Sequence, residues 1–338
     1  MASFVRVTAL IWADIVAWYA VWVMMTYLTN VWKLEVTHAA AIVNVFMGAA
    51  IIMPIGMAFM VDTFMGDYSM LLLSSLAYSF GMSFLAMSTP PVLAEAVGTC
   101  SAYEPDCIGN TQKVLFYTAL ALIAVGVAGH VTSLVSFINH QIETVDKDFH
   151  SKWKLPFQFG AFIVVILLSI IGGIALPYIK PWSTRFGIPA IFTVLATVLF
   201  LSGSCSYNYV SPQGRSLTTV FRVFVASASK ILCGLPKDAN NLYGSCRLDV
   251  DTLPHTQSLR CLDKAAIIVP TETLENQEQN RWKLCSVTEV EETKISLRMI
   301  PILITLIMCG VVSSVGATYF LEQANHMNRK LQKWRPEG

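Results

Sequence analysis

Two side chains stand in the wrong solvent. Asp14 lies inside an apolar run from about Phe4 to Thr29, with Trp18 one helical turn later, and His130 lies inside another apolar run, about 113–138. Ionisable groups within a bilayer are costly, so they pair, face water, or mark a transport path. Imidazole is the side chain whose charge changes near neutral pH, which suits it to carrying a proton to or from a carboxylate. A plainer reading stands beside this one: His130 hydrogen-bonds a backbone carbonyl, and Asp14 sits at the water boundary about ten residues into its run. Other chemistries find no support. There is no Walker-type phosphate loop, H-E-x-x-H helix or G-x-S-x-G elbow, so an enzyme is not expected. His255 and His326 lack a ligand partner at metal spacing, and the eight cysteines form no C-x-x-C pair. No metal or cofactor is expected.

The elements that must position Asp14 and His130 are membrane helices. The chain is 54% hydrophobic and 13% charged, with mean hydropathy +0.56, outside the range of soluble domains. Seven apolar runs read as spans, at about 5–29, 38–60, 69–90, 113–138, 156–178, 186–204 and 299–321. The first is too long for a signal-peptide core and reads as a membrane helix. Between the sixth and seventh runs lies a polar stretch, Cys205 to Lys294, holding 20 of the chain's 45 formal charges. The expected domains are a six-helix bundle at 1–204, a cytosolic linker with amphipathic helices at 205–298, and a seventh membrane helix with a short tail at 299–338.

Charge placement predicts orientation. Lys147, Lys152 and Lys154 lie between the fourth and fifth runs, and ten more basic residues lie in the linker. The positive-inside rule puts both segments, and the N-terminus, in the cytoplasm. Basic residues at Arg329, Lys330, Lys333 and Arg335 run against that rule. Cys100 and Cys107, in the connection after the third run, pair if that loop is outside the cytoplasm and stay free thiols otherwise. The net charge of +1, with no basic block, excludes nucleic acid as a partner. Glu289, Glu291, Glu292, Lys294 and Arg298 fit the polar face of an amphipathic helix with Val287, Val290 and Ile295 opposite; it lies on the membrane surface or stands as a solvated linker helix.

The turn after the second run, Val61-Asp62-Thr63-Phe64-Met65-Gly66-Asp67-Tyr68, needs Gly66 for positive φ and offers Asp62 as a helix cap. Its Asp-x-x-Met-Gly-x-Tyr spacing resembles the corresponding loop of plant nitrate/peptide transporters, relatives of the proton-coupled oligopeptide transporters in the major facilitator superfamily. Further matches are Phe186-Gly187-Ile188-Pro189-Ala190, His255-Thr256 with Arg260 and Leu262-Asp263-Lys264-Ala265-Ala266-Ile267, and the string Trp282 to Lys294 leading into Leu297-Arg298-Met299-Ile300-Pro301. The resemblance implies an all-α membrane protein whose first and fourth spans face each other across a cavity. It therefore implies an Asp14–His130 pair there, with Trp18 nearby and Ser313 as a weak polar contact from the seventh span. It also exposes a departure. The family's Glu-x-x-Glu-Arg positions on the first span fall on Leu10, Ala13 and Asp14, and its fourth-span Lys falls on Val131. The usual route of proton coupling is missing.

The expected function is transmembrane transport of a small polar solute, nitrate, peptide or a related substrate, with protons as the candidate coupling ion, in the plasma or vacuolar membrane. Facilitators of this class use two six-helix halves, and one half plus one further helix is visible here. A C-terminally truncated member is therefore expected, its last residues after Lys330 foreign to the pattern, and by itself not transporting. The other reading is a non-transporting remnant that forms an oligomer with a full-length relative.

Overall fold

Long uninterrupted apolar sequence with few helix breakers folds here into helices. The computed structural model describes residues 2–90, 92, 108–143, 163, 167, 170, 171, 175, 178–207, 209, 216–231, 234, 242–244, 255–269, 277 and 282–327. Among these there is no β-strand. The helices are α1 (Ala2–Trp22), α2 (Met24–Asn30), α3 (Val36–Met60), α4 (Gly66–Met87), α5 (Asn110–Glu143), α6 (Trp182–Ser202), α7 (Ser216–Ser229), α8 (Val287–Arg298), α9 (Ile300–Val315) and α10 (Leu321–His326). The chain divides into two units, one comprising Met1–Val61, Met65–Ser211 and Val312–Gly338, the other Asp62–Phe64 and Pro212–Val311.

Among the described residues, five helical stretches are long and apolar enough to cross a membrane: Arg6–Asn30, Val36–Met87, Asn110–Gln141, Trp182–Ser202 and Val287–Ala324. The second holds two of the expected runs. Between them Val61–Met65 forms a π-helical turn, and Gly66 takes φ +71°, which an L side chain rarely adopts. The chain must reverse there, because α3 and α4 both pack on α5. Along α4, Gly81, Tyr78 and Ser74 meet Ile123, Gly126 and Gly129 of α5 in turn, so those two helices are antiparallel. The fifth expected run, 156–178, and the Cys100–Cys107 loop lie largely or wholly outside the described residues. In the last stretch five of the twelve residues of α8 are charged, so the part suited to hydrocarbon begins at Ile300.

The first unit is held by contacts inside a bundle of α1–α6. The most extensive pairing, α4 on α5, rests on small residues. A Cβ added at Gly126 would lie 2.5 Å from Tyr78 Cβ, and one at Gly129 would lie 2.4 Å from Ser74 Cβ. Close approach of this kind is how membrane helices associate, since lipid tails are as apolar as leucine. Aromatic clusters close both ends: Tyr27 with Trp182 and Phe186, each 5.2 Å away, and Tyr68 with Phe137, Phe200 and Tyr207. Outward, Ile51, Ile55, Val135, Leu195 and Val198 are exposed, as a lipid-facing surface requires.

In the second unit α7, a 3₁₀ turn at Leu262–Ala266 and α8 share a small core of Val223, Ala226, Leu262, Ala265, Cys285 and Val290. Backbone bonds from Tyr243 to Ala266, Cys285 to Ala265 and Val287 to Tyr243 tie the segments. A capping box of Ser286 and Glu289 starts α8. This corrects the surface-helix expectation. Glu291 and Lys294 do not point to solvent; they are 2% and 0% exposed, because each is the other's partner. Asp62 caps neither of the helices beside it, α3 or α4, whose flanking caps are Val61 and Met65. Its carboxylate accepts a hydrogen bond from Thr218 of α7 at 3.2 Å.

Candidate functional site

Hydrogen-bonding side chains inside an apolar bundle need partners, and the partners identify the site. On α1, Asp14 follows the buried Leu10 and Ala13. On α5, His130 follows Gly129, whose missing side chain lets α4 approach. His130 Nδ1 lies 2.8 and 2.9 Å from the two carboxylate oxygens of Asp14. The other ring nitrogen, Nε2, lies 2.8 Å from Ser75 Oγ on α4. Ser75 in turn donates its hydroxyl to the Leu71 carbonyl at 2.7 Å. The Tyr78 ring stands edge-on to the imidazole, 5.5 Å between centroids at 84°.

Burial differs sharply along this chain of contacts. Ser75 is 1% and His130 4% exposed, whereas the Asp14 side chain keeps 26% of its surface. Asp14 is thus the more exposed end of this chain of contacts, and His130 the buried end. An unpaired charge on an apolar helix would cost about 2.5–3.5 kcal/mol on insertion scales. A carboxylate that accepts a hydrogen bond from an imidazole has a partner, where an unpaired one would have none.

The sequence-derived candidates fare differently. Asp14 and His130 are brought together, and the backbone-carbonyl alternative for His130 is not what the ring nitrogens meet. Trp18 is half-buried, one turn along α1. Ser313 is exposed on α9. Val131, the position of the family's lysine, is also exposed, so the helix turns His130 rather than its neighbour into the bundle. Gly66 supplies the positive φ, and Asp62 serves α7 as described above. Sequence reasoning missed Ser75 and Tyr78, and also two further polar ties, Ser79 to Thr197 at 2.9 Å and Ser136 to Asp67 at 2.9 Å. A serine in a membrane helix carries no distinguishing signal, because its hydroxyl can bond the preceding turn.

A second titratable cluster lies in the linker unit. Ligand atoms of His255, Asp263 and Glu291 lie within 4.8 Å of one another, a grouping that the sequence spacing did not show. They already surround a cation. Lys294 Nζ is 2.6 Å from Asp263 Oδ1, 2.8 Å from Glu291 Oε1 and 2.9 Å from the Thr256 carbonyl. A metal ion there would face a buried ammonium, so the donor set fits the protein's own lysine and not a metal. Arg222 pairs with Glu289 beside it.

Comparison with known proteins places this geometry. The family model described as PTR2, the POT family, matches residues 68–335. Protein NRT1/PTR FAMILY 5.5 of Arabidopsis thaliana is 47% identical over 330 residues, which cover 97% of this chain and 60% of that protein. Protein NRT1/PTR FAMILY 8.3 of the same plant is 32% identical over 322 residues, 91% of this chain and 54% of its own length. The chain thus spans somewhat over half the length of these relatives. Among solved structures, the crystal structure of an auto-inhibited POT family peptide transporter superimposes with a TM-score of 0.52 at 18% identity, over 69% of this chain and 46% of that one. At that identity the likeness speaks for the fold alone: an all-α membrane protein of the major facilitator type.

Proposed function

The chain belongs to the POT family, and on that premise we propose that it forms part of a transmembrane carrier of a small polar solute, nitrate or a peptide, in the plasma or vacuolar membrane. Coupling to protons would run through Asp14 and His130, which take the place of the acidic and lysine groups absent from Leu10, Ala13 and Val131. The observation that carries this reading is the Asp14–His130 contact at 2.8 Å inside an otherwise apolar bundle. No packing role requires a carboxylate and an imidazole there, since Asn and Gln of similar shape would fill the space without a charge. Asp14, whose side chain keeps 26% of its surface, would give the buried imidazole a route for exchanging protons.

The test is uptake of labelled nitrate and dipeptides by cells expressing the full-length protein, across a range of external pH. Asp14→Asn keeps the shape and removes the titratable oxygen. It is expected to abolish the acid stimulation of uptake while surface expression stays at the parental level. An Asn variant whose uptake still rises with acidity like the parent removes the pair from the mechanism.

A further inference from the structure

Helix α7 carries its polar groups inward and its apolar groups outward. Arg222, and Lys230 just past the helix end, are each only 6% exposed. Arg222 pairs with Glu289 of α8, and the Lys230 ammonium donates to the Ile267 and Ala265 carbonyls at 2.6 and 3.3 Å. Thr218 is buried against Asp62. The large side chains left outside are Phe221 and Val225, each 49% exposed, and Phe224 at 41%. With the exposed Ala228 they recur at helical spacing and form one face. No charged residue lies on that face; Ser227 and Ser229 border it. A helix in water has the reverse arrangement, with its apolar stripe inward and its charges outward. The inner side of α7 already fills the linker core through Val223 and Ala226, so the outer face suits a second apolar medium.

The surroundings of Thr218 indicate which medium. Thr218 lies three residues before Phe221 and seven before Val225, on one side of the helix, and its hydroxyl holds the Asp62 carboxylate at 3.2 Å. Asp62 stands where one apolar run ends near residue 60 and the next begins near 69, the level at which a span leaves the hydrocarbon. Phe64, in the same unit as α7, is 72% exposed. A protein partner would be oriented by charges and hydrogen bonds around an apolar centre. Lipid asks only for apolar area. We infer that the outer face of α7 is a membrane-docking surface: Phe221, Phe224, Val225 and Ala228 lie among the acyl chains beneath the phospholipid headgroups and hold the linker unit against the bilayer. Such faces enter to a depth of about 5–10 Å. Lys264, bonded to the Ile231 carbonyl, brings an ammonium to the far end of α7, where headgroup phosphates are the complementary charge.

This surface is independent of the solute carried, and so is its test. The full chain is reconstituted in phosphatidylcholine vesicles whose acyl chains carry tritium. The photoreactive p-benzoyl-phenylalanine replaces Phe221, Phe224 or Val225 in separate preparations, with Glu292, exposed on α8, as the control position. Irradiation is expected to fix several-fold more tritium on the chain from 221, 224 and 225 than from 292. All four positions are exposed, so the linker unit should fold as in the parent, and a parental tryptic pattern checks it. Tritium from 224 no higher than from 292 leaves the face in water and overturns the proposal. An adduct with another segment of the chain, or with a second copy of it, means that protein covers the face, and this overturns it too.

Discussion

Replacing Gly126 by alanine tests how the bundle positions the candidate site. The added Cβ would lie 2.5 Å from Tyr78 Cβ, 2.8 Å from its Cα and 2.9 Å from its nitrogen. Two of these atoms are backbone, so no side-chain rotation relieves the clash. To reach an ordinary 3.4 Å contact, α4 must withdraw from α5 by about 0.9 Å. Ser75 is three residues from Tyr78 on α4, and His130 is four residues beyond Gly126 on α5. The same withdrawal stretches the 2.8 Å Ser75–His130 bond to about 3.7 Å, past the hydrogen-bond limit. Overpacking costs about 1–3 kcal/mol, and the lost buried hydrogen bond adds about 1 kcal/mol. A total near 3 kcal/mol corresponds to a fall of about 5 °C or more in melting temperature. Thermal unfolding of the detergent-solubilised protein, followed by tryptophan fluorescence, measures it. Gly48→Ala and Gly56→Ala on α3 are controls, since an added Cβ meets nothing within 4 Å at either, and helix propensity alone makes them neutral or slightly stabilising. A Gly126→Ala protein that melts with the parent would refute the close-packing account and the link from seam to site.

Further outcomes concern the linker unit. Burial, reinforced by the Glu289 carboxylate, pushes the Cys285 thiol up to about 11. Cys261 is exposed. At neutral pH, maleimide should therefore label Cys261 about a hundredfold or more faster than Cys285. With the linker in the cytoplasm, Cys261 should label only after cells are permeabilised; labelling in intact cells would reverse the orientation. Lys294→Met leaves Asp263 and Glu291 buried and facing each other, at a cost of about 3–5 kcal/mol; limited trypsin digestion at Lys264 should speed up about a hundredfold, and an unchanged rate would show the ion cluster to be dispensable. Burial alone would raise Glu291, but hydrogen bonds from Lys294 and Thr256 outweigh it and hold the carboxyl below its usual range. Its stabilising contribution is complete above the ordinary glutamate value, about 4.3, and is lost as pH falls through the depressed one. Protease resistance of the parent should weaken on that acid side. In Lys294→Met, acid should instead restore some resistance.

What could be read from the residues alone depended on rarity. Two ionisable groups in apolar runs announce themselves, so Asp14 and His130 were legible, and so was the turn at Gly66, where one glycine sits between long helices. Ser75 was not legible. Serines recur along these helices, and only the crossing of α4 over α5 decides that this one, and not Ser74 beside it, reaches the imidazole. The linker misled for a different reason. Charged residues at helical spacing are read as a solvated face, and that reading fails when acid and base on one helix neutralise each other. Glu291 and Lys294, one turn apart, meet Asp263 and Thr256 from another segment and go inside together. A pattern within one helix cannot reveal a partner from elsewhere. The two runs around Val61–Met65 were separable by length, but the π-helical turn that joins them left no mark that propensity could find.

The glycine seam also governs which changes heredity can try. At Gly129 the obstacle to a methyl group is Ser74, its Cβ at 2.4 Å and Oγ at 2.8 Å, with Met70 Sδ next at 3.6 Å. A serine can be lost, so alanine at 129 becomes admissible once glycine stands at 74; the two positions can trade volume if the serine goes first, through an unstrained pair of glycines, whereas alanine at 129 first meets the clash. At Gly126 no such bargain exists, because the nearest atoms include the Cα and nitrogen of Tyr78, which every residue type possesses. Four helix positions therefore divide into a negotiable pair, 74 with 129, and a glycine at 126 whose neighbour has nothing to concede. Drift along this crossing is expected to appear as correlated swaps at the first pair beside an unmoving glycine one turn away.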